Sequence, residues 1–299
     1  MLPSPSLTPH SPAPHSSPAE HSIAWMESLP FFAFHGIALA GVAAVGFRWE
    51  WAGLCLATYV ARMFGITAGF HRYLSHRSFS FSGRFARVWQ FLLVFLGTAS
   101  VQKGPLWWAA HHRHHHRFSD QPQDLHSPAQ EGFWWSHVGW ILSRKYDETR
   151  WELIPDLRKF PELVWLNRFP HVPAVILSLT LYVLGGWGAL FWGMGLSTVL
   201  LWHGTFFINS LAHVLGTRRY QTTDTSRNHW LLALITLGEG WHNNHHCYMS
   251  STRQGFFWWE IDPTYYALKV LSFFGITRGL REPPLHLLEA RRIPQTSVS

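Results

Sequence analysis

Four stretches of the chain are apolar over the length that crosses a bilayer, roughly 17–25 residues. They run from about Leu29 to Phe47, Trp49 to Phe70, Phe169 to Gly186 and Ala189 to Ser210. A tight turn near Arg48 joins the first two. Gly185, Gly186, Trp187 and Gly188 join the last two. The pattern therefore predicts two helical hairpins in a membrane. A fifth apolar stretch, Phe85 to Val101, is punctuated by Arg84, Arg87, Gln90 and Gln102, so it predicts an interfacial or partly embedded helix rather than a span. Phe79 to Phe81, Trp134 to Trp140 and Phe256 to Trp259 read as aromatic anchors at the membrane surface. The fold class expected is an all-α integral-membrane protein.

Composition strengthens this picture. Only 14% of the 299 residues are charged, against about 25% in a soluble domain. Eighteen tryptophans suit a membrane interface, where the ring is apolar and the N–H stays wet. The basic residues are placed unevenly. Arg72, Arg77, Arg84, Arg87, Lys103, Arg113 and Arg117 lie between the hairpins, and Arg218, Arg219, Arg227 and Arg253 follow the second. The short hairpin turns carry only Arg48. The positive-inside tendency then puts both termini and the central loop in the cytoplasm. A net charge of +7 fits anionic lipid or an acidic protein partner, and not nucleic acid, given the apolar spans. Residues 1–24 are rich in Pro, Ser and His and are expected to be disordered. They lack the pattern of a cleavable signal peptide. Residues 25–281 read as one catalytic unit and 282–299 as a short tail. Cys55 and Cys247 do not make a disulfide framework.

Histidine carries the candidate chemistry. Three clusters stand out among 21 histidines: His71-Arg-Tyr-Leu-Ser-His76, His112-Arg-His-His115-His116 and His242-Asn-Asn-His245-His246. Positions i, i+3 and i+4 share a helix face, so each H-x-x-H-H run is expected to point three imidazoles one way. Six or more imidazoles exceed the three protein ligands of a usual catalytic zinc site, and the count fits two metal ions. The first pair, at i and i+5, is about 140° apart on an ideal α-helix, so His76 is expected past the helix end or on a distorted turn. His213 is a ninth candidate, with Asn209 one turn before it on the same face. Solitary histidines such as His35, His137, His171, His203 and His229 are read as satisfied polar residues. His111 and His114 fall off the spacing and are read as bystanders.

These residues resemble the membrane acyl-CoA and acyl-lipid Δ9 fatty acid desaturases of the stearoyl-CoA desaturase type. The resemblance is carried by Gly69-Phe-His-Arg-Tyr-Leu-Ser-His76, His112-Arg-His-His-His-Arg-Phe-Ser119, Ser136-His-Val-Gly-Trp140, Asn209-Ser-Leu-Ala-His213 and Gly238-Glu-Gly-Trp-His-Asn-Asn-His-His246. It implies four transmembrane helices under a cytoplasmic helical cap. It also implies two non-haem iron ions ligated by His71, His76, His112, His115, His116, His213, His242, His245 and His246, with Asn209 reaching one iron through water. O2 is the implied co-substrate, and a cis double bond in a long acyl chain the implied product. Asp124-Leu-His126 stands where the family often has Asp-Pro-His, and no substrate role is assigned there.

The chemistry agrees with the resemblance. Hydrogen removal from an unactivated methylene needs oxygen activated at a redox metal, which zinc cannot supply. Glu239, Asp120 and Asp124 are candidates to orient ligand rings. Trp107, Trp108 and Trp241 flank ligands and are expected along a narrow apolar substrate tunnel. No fused electron carrier is visible, so a separate ferredoxin or cytochrome b5 type donor is expected. Arg218, Arg219, Arg227 and Arg253 offer a basic face for it, or for a phosphate-bearing headgroup. A bacterial inner membrane is favoured over an endoplasmic reticulum. A hydroxylase or alkane monooxygenase is the nearest rival. A metal transporter fits less well, because its ligands usually lie within the spans.

Overall fold

The structure, a computed structural model, describes residues 22–294. The expected disordered segment therefore lies outside the described residues, apart from 22–24. The described chain is mostly helical. Three helical stretches are long and apolar enough to cross a membrane: Trp25–Val45, Trp49–Ser75 and Val172–Val214. The last is 43 residues long, about twice what a bilayer needs. Its helical geometry breaks at Gly185 and Gly186, where φ is −148° and 61°. The left-handed angle at Gly186 strains any residue with a Cβ. Nearby, the Trp51 indole packs so closely on Gly188 that a Cβ there would sit 2.5 Å from it. This is the glycine cluster that sequence marks as a turn.

The helices meet through small residues, as expected where lipid removes the hydrophobic drive between them. Trp25–Val45 and Trp49–Phe64 both pack against the π-helical segment Phe191–Leu196, so that segment joins the sequence-adjacent pair. Gly65 and Gly97 bring two backbones together. A Cβ on Gly97 would lie 2.7 Å from the Gly65 carbonyl oxygen and 2.8 Å from the Phe70 ring. Arg62 is buried at this junction. Its guanidinium donates to the Ala99 carbonyl at 3.2 Å, to Thr198 Oγ1 at 2.6 Å and to Ser197 Oγ. A cation in an apolar interior persists when neutral oxygens take its N–H groups.

The helix Ala86–Thr98 has 13 residues and spans about 20 Å, too short for a hydrocarbon core of roughly 30 Å. Val88, Trp89 and Leu92 are exposed on it, whereas Gln90 is buried and accepts a 2.6 Å bond from the Tyr73 hydroxyl. The sidedness fits the expected surface-lying helix.

Pro105–Phe118, His242–Cys247 and the surrounding loops form a cap against the π-helical end of the second long stretch, Gly65–Ser75, with His245 Nε2 3.1 Å from His71 Nε2. One short antiparallel pair, Ser80 opposite Arg278 and Phe81 opposite Thr277, ties the chain after the first histidine box to the region beyond the last. The stretch expected as a tail folds onto the cap. Leu285–Arg291 is helical, Leu288 is buried with Tyr220, Cys247 and Phe256, and Arg291 donates to the Cys247 carbonyl at 3.0 Å.

The Gly65–Gly97 contact gives the first prediction. Gly97→Ala should cost about 1–3 kcal/mol as an overpacked contact. It would be read as a fall in melting temperature of the detergent-solubilised protein. An unchanged melting temperature contradicts the close approach.

Candidate metal centre

The first box lies on a π-helix, Gly65–Ser75, with His76 at its end. The His76 amide donates to the His71 carbonyl at 3.1 Å, the i to i+5 bond of that helix type. The wider turn brings the two rings together edge to face, centroids 4.7 Å apart, where an α-helix would splay them. The expected distorted turn is thus a π-helical one.

The second and third boxes sit on helices Pro105–Phe118 and His242–Cys247. Their three imidazoles do not converge on one point, as the shared-face argument expected. His71, His76, His112, His116 and His245 form one group, and His115, His213, His242 and His246 form another; within each, the ligand atoms lie within 4.8 Å of one another. Each step along a helix turns about 100°, so a face wide enough for three rings divides between two centres. His115 leaves its box for the second group and His245 leaves its box for the first. All nine residues expected as ligands fall into these two groups. Both His111 and His114 stay outside: His111 bonds to the Trp107 carbonyl at 2.8 Å, and His114 to the Gln123 carbonyl at 2.8 Å.

The atoms that meet are Nε2 atoms. In the first group His71 lies 3.1 Å from both His245 and His76, His76 lies 2.9 Å from His112, and His116 lies 2.9 Å from His112 and 3.0 Å from His245. In the second, His213 and His242 are 3.1 Å apart, and the buried His246 Nε2 has no hydrogen-bond partner. On four of the rings the opposite nitrogen is engaged by a carboxylate. His71 Nδ1 donates to Glu239 at 2.5 Å, His115 to Asp124 at 2.8 Å, His246 to Asp224 at 2.7 Å and His213 to Asp120 at 3.3 Å. With Nδ1 carrying the proton, Nε2 presents a lone pair. Lone pairs crowded at about 3 Å repel unless a cation lies among them. The donor set therefore fits metal ions, in the carboxylate–histidine–metal arrangement that fixes tautomer and ring angle.

Burial pushes His76, His112, His116, His242 and His245 well below the usual imidazole value, and neighbouring imidazoles add to it. They are neutral, as ligands must be. Burial raises the carboxyls of Asp124, Asp224 and Glu239, but His115, His246, and His71 with Arg72 respectively outweigh it and hold them below the usual range. Arg72, buried between Glu239 at 3.1 Å and Asp262 at 3.0 Å, anchors one of these carboxylates.

Glu239, Asp120 and Asp124 occupy the orienting positions expected of them. Asp224 was not foreseen. It lies in a Thr/Ser-rich loop, and nothing local in sequence ties it to His246. His126 was also left without a role. It is buried, 4.3 Å ring to ring from His115, and burial pushes it down to about 3.

An apolar cavity abuts the first group. Phe31, Trp107, Trp108, Trp140, Trp202 and Phe206 line it, together with His112 and Asn209. Gln102 bonds to Thr205 across it at 2.8 Å. Trp107 and Trp108 line it as expected. Trp241 does not; its indole N–H donates to the Ile261 carbonyl at 2.9 Å. The four arginines considered as a docking face are engaged within the cap. Arg219 pairs with Glu260, while Arg218, Arg227 and Arg253 bond to backbone carbonyls.

Residues 48–272 match the family model described as fatty acid desaturase. The chain belongs to the fatty acid desaturase family. This desaturase is 36% identical to the sn-2 palmitoyl-lipid 9-desaturase of Nostoc sp. (strain 36), over 87% of the present chain and 91% of that protein. It is 38% identical to the sn-1 stearoyl-lipid 9-desaturase of Synechocystis sp., covering 91% and 84%. It is 37% identical to the acyl-CoA C20 Δ5-desaturase of Anemone leveillei, covering 79% and 76%. The enzyme is an oxidoreductase that desaturates a fatty acyl substrate.

Two expectations follow for the desaturase. Glu239→Gln and Asp224→Asn should each weaken metal retention about 10–100-fold, measured by metal analysis after dialysis against graded chelator. Acid should act through the ligands. For six of them, His76, His112, His116, His242, His245 and His246, the folded pKa lies below the unfolded value near 6.5, so the unfolded state binds more protons as pH falls and stability declines from there. The depressed carboxylates contribute stability above about pH 4 that is lost at lower pH still. Metal content and activity should fall together below about pH 6. Full metal retention at pH 5 contradicts the neutral-ligand reading.

Proposed function

We propose that the enzyme inserts a cis double bond, at Δ9, into a long-chain acyl substrate at a di-iron centre. The nine histidines hold the irons, five around one and four around the other. Asn209 completes the four-histidine side through a water. That reading is supported by the unequal ligand count and by the place of Asn209 one turn before His213 on the wall of the cavity. The irons, when bound, supply activated oxygen.

The chain's own residues do the rest. Glu239, Asp120, Asp124 and Asp224 hold the imidazole protons on Nδ1 and so keep the ligand nitrogens free. The tryptophan-lined cavity takes the acyl chain, keeps water out and sets one methylene pair against the centre. The break at Gly185 and Gly186 divides the 43-residue stretch into two crossings. Four spans then leave every histidine box on the cytoplasmic side, under the helical cap. Two electrons per turnover come from a separate ferredoxin or cytochrome b5 type protein. A bacterial inner membrane is the favoured location, and acyl-lipid and acyl-CoA substrates are both compatible with the relatives.

The convergence of nine imidazoles beside an apolar cavity carries the proposal. Expression in a desaturase-deficient host, followed by fatty-acid profiling with double-bond location, tests it. Loss of two hydrogens at Δ9 is expected, and His245→Ala should abolish it. Gain of one oxygen instead would assign a hydroxylase.

A further inference from the structure

Two of the nine imidazoles line a second cavity, which shares no residue with the tryptophan-lined one. His116 comes from the first group and His246 from the second. Their rings lie side by side, centroids 4.6 Å apart. The cavity, about 470 Å³ and lined mostly by polar residues, has its mouth at Arg117, Gln121, Gln221, Thr223 and Arg291, all five of them exposed. The tryptophan-lined cavity meets the nine ligands only through His112. A third cavity, lined by residues 22–27 and 143–145, touches none of them.

The charge at the mouth is basic. Arg117 finds no hydrogen-bond or ion-pair partner among the described residues, so its charge faces solvent. Arg291 is held in place by the chain that folds back onto the cap. One of its N–H groups goes to the Cys247 carbonyl at 3.0 Å, beside His246, and its own carbonyl accepts the Gln221 amide at 2.8 Å. The one carboxylate lining the cavity, Asp224, is buried and bonded to His246 at 2.7 Å. The result is a polar well with cations at its rim and one ligand of each group at its floor.

We propose that an acidic one-electron carrier protein docks over this mouth, against Arg117 and Arg291, and that electrons enter through the His116–His246 pair. This rests on the desaturase reading, whose reaction needs such a partner. Dioxygen takes two hydrogens from a methylene pair, two electrons from the carrier and two protons from solvent, leaving a double bond and two waters. Two reduced carriers each lose one electron, in successive encounters. Electron transfer weakens steeply with distance, so the carrier must seat where ligands of both groups come nearest the surface. The well is too small for a protein domain and too polar for an acyl chain, so the carrier covers it and does not enter. Acyl chain and carrier then use separate cavities and can be present together. Basic charge steers an acidic partner into a salt-sensitive contact, and redox encounters bury little area. Arg117 and Arg291 thus take the role that sequence offered to Arg218, Arg219, Arg227 and Arg253, which are engaged inside the cap.

The test uses the full chain in lipid nanodiscs and two probes, a plant-type ferredoxin and the soluble domain of cytochrome b5. The first readout needs no turnover: binding of each probe to the chain loaded with redox-inert zinc. At least one probe should bind the wild type at low salt and leave at about 1 M salt, where charges are screened beyond about 3 Å. Arg117→Glu should weaken that binding about tenfold or more, and Arg117→Lys should keep most of it. Arg278→Glu, the same charge change at an exposed site off the cavity, should leave it unchanged. In the iron-loaded chain, stopped-flow reduction by the same probe should slow about tenfold in Arg117→Glu. Reduction by reduced N-methylphenazine, small and uncharged, should keep its wild-type rate, which shows the centre intact. Equal losses in Arg117→Glu and Arg278→Glu would trace the effect to net charge and overturn the site, as would binding of neither probe by the wild type. Carrier binding that depends on Arg117 in a chain yielding no double bond would unseat the proposed reaction and leave the docking surface standing.

Discussion

The structure depends on keeping nine imidazole nitrogens unprotonated while they crowd into two groups, within each of which they lie no more than 4.8 Å apart. Water would relieve that crowding by protonating them, so the rings are buried. Burial would leave their other nitrogens without partners, and for His71, His115, His213 and His246 carboxylates take those protons. The carboxylates in turn are held ionised by the same imidazoles and, for Glu239, by Arg72. Each element has a partner only when the others are in place. Histidines, carboxylates and the closing strand pair therefore form as one unit, whose donor set fits metal ions.

Such a unit demands backbone that ordinary helices do not provide. His71 and His76 meet because the helix carrying them widens to a π-helix over its last 11 residues. The same widening occurs at Phe191–Leu196, where glycines let the first two membrane helices pack on a third. The apolar half and the polar half thus share one device: local departures from α-geometry, made possible by small residues, that set side chains in positions a regular helix denies them.

Much of this was legible in the sequence, for identifiable reasons. Helical spacing marked His112, His115 and His116 as neighbours, and apolar length marked the membrane stretches, because both signals are local. Helical spacing alone did not show that His115 and His245 would each leave their own box for the opposite group, since that depends on how two helices face one another. Asp224 was invisible because its partner, His246, is remote in sequence. The glycine cluster at 185–188 was readable as a turn, whereas the contact of Gly65 with Gly97 was not, since only packing reveals it. Family likeness implied the set of nine histidines, but not how they divide into two groups.

The account comes down to two redox-active metal ions in a cage of imidazole. Quantitative metal analysis of the protein, purified without chelator from iron-replete cells, addresses it most directly. Two irons per chain are predicted. One metal per chain, or zinc alone in an active preparation, would contradict it.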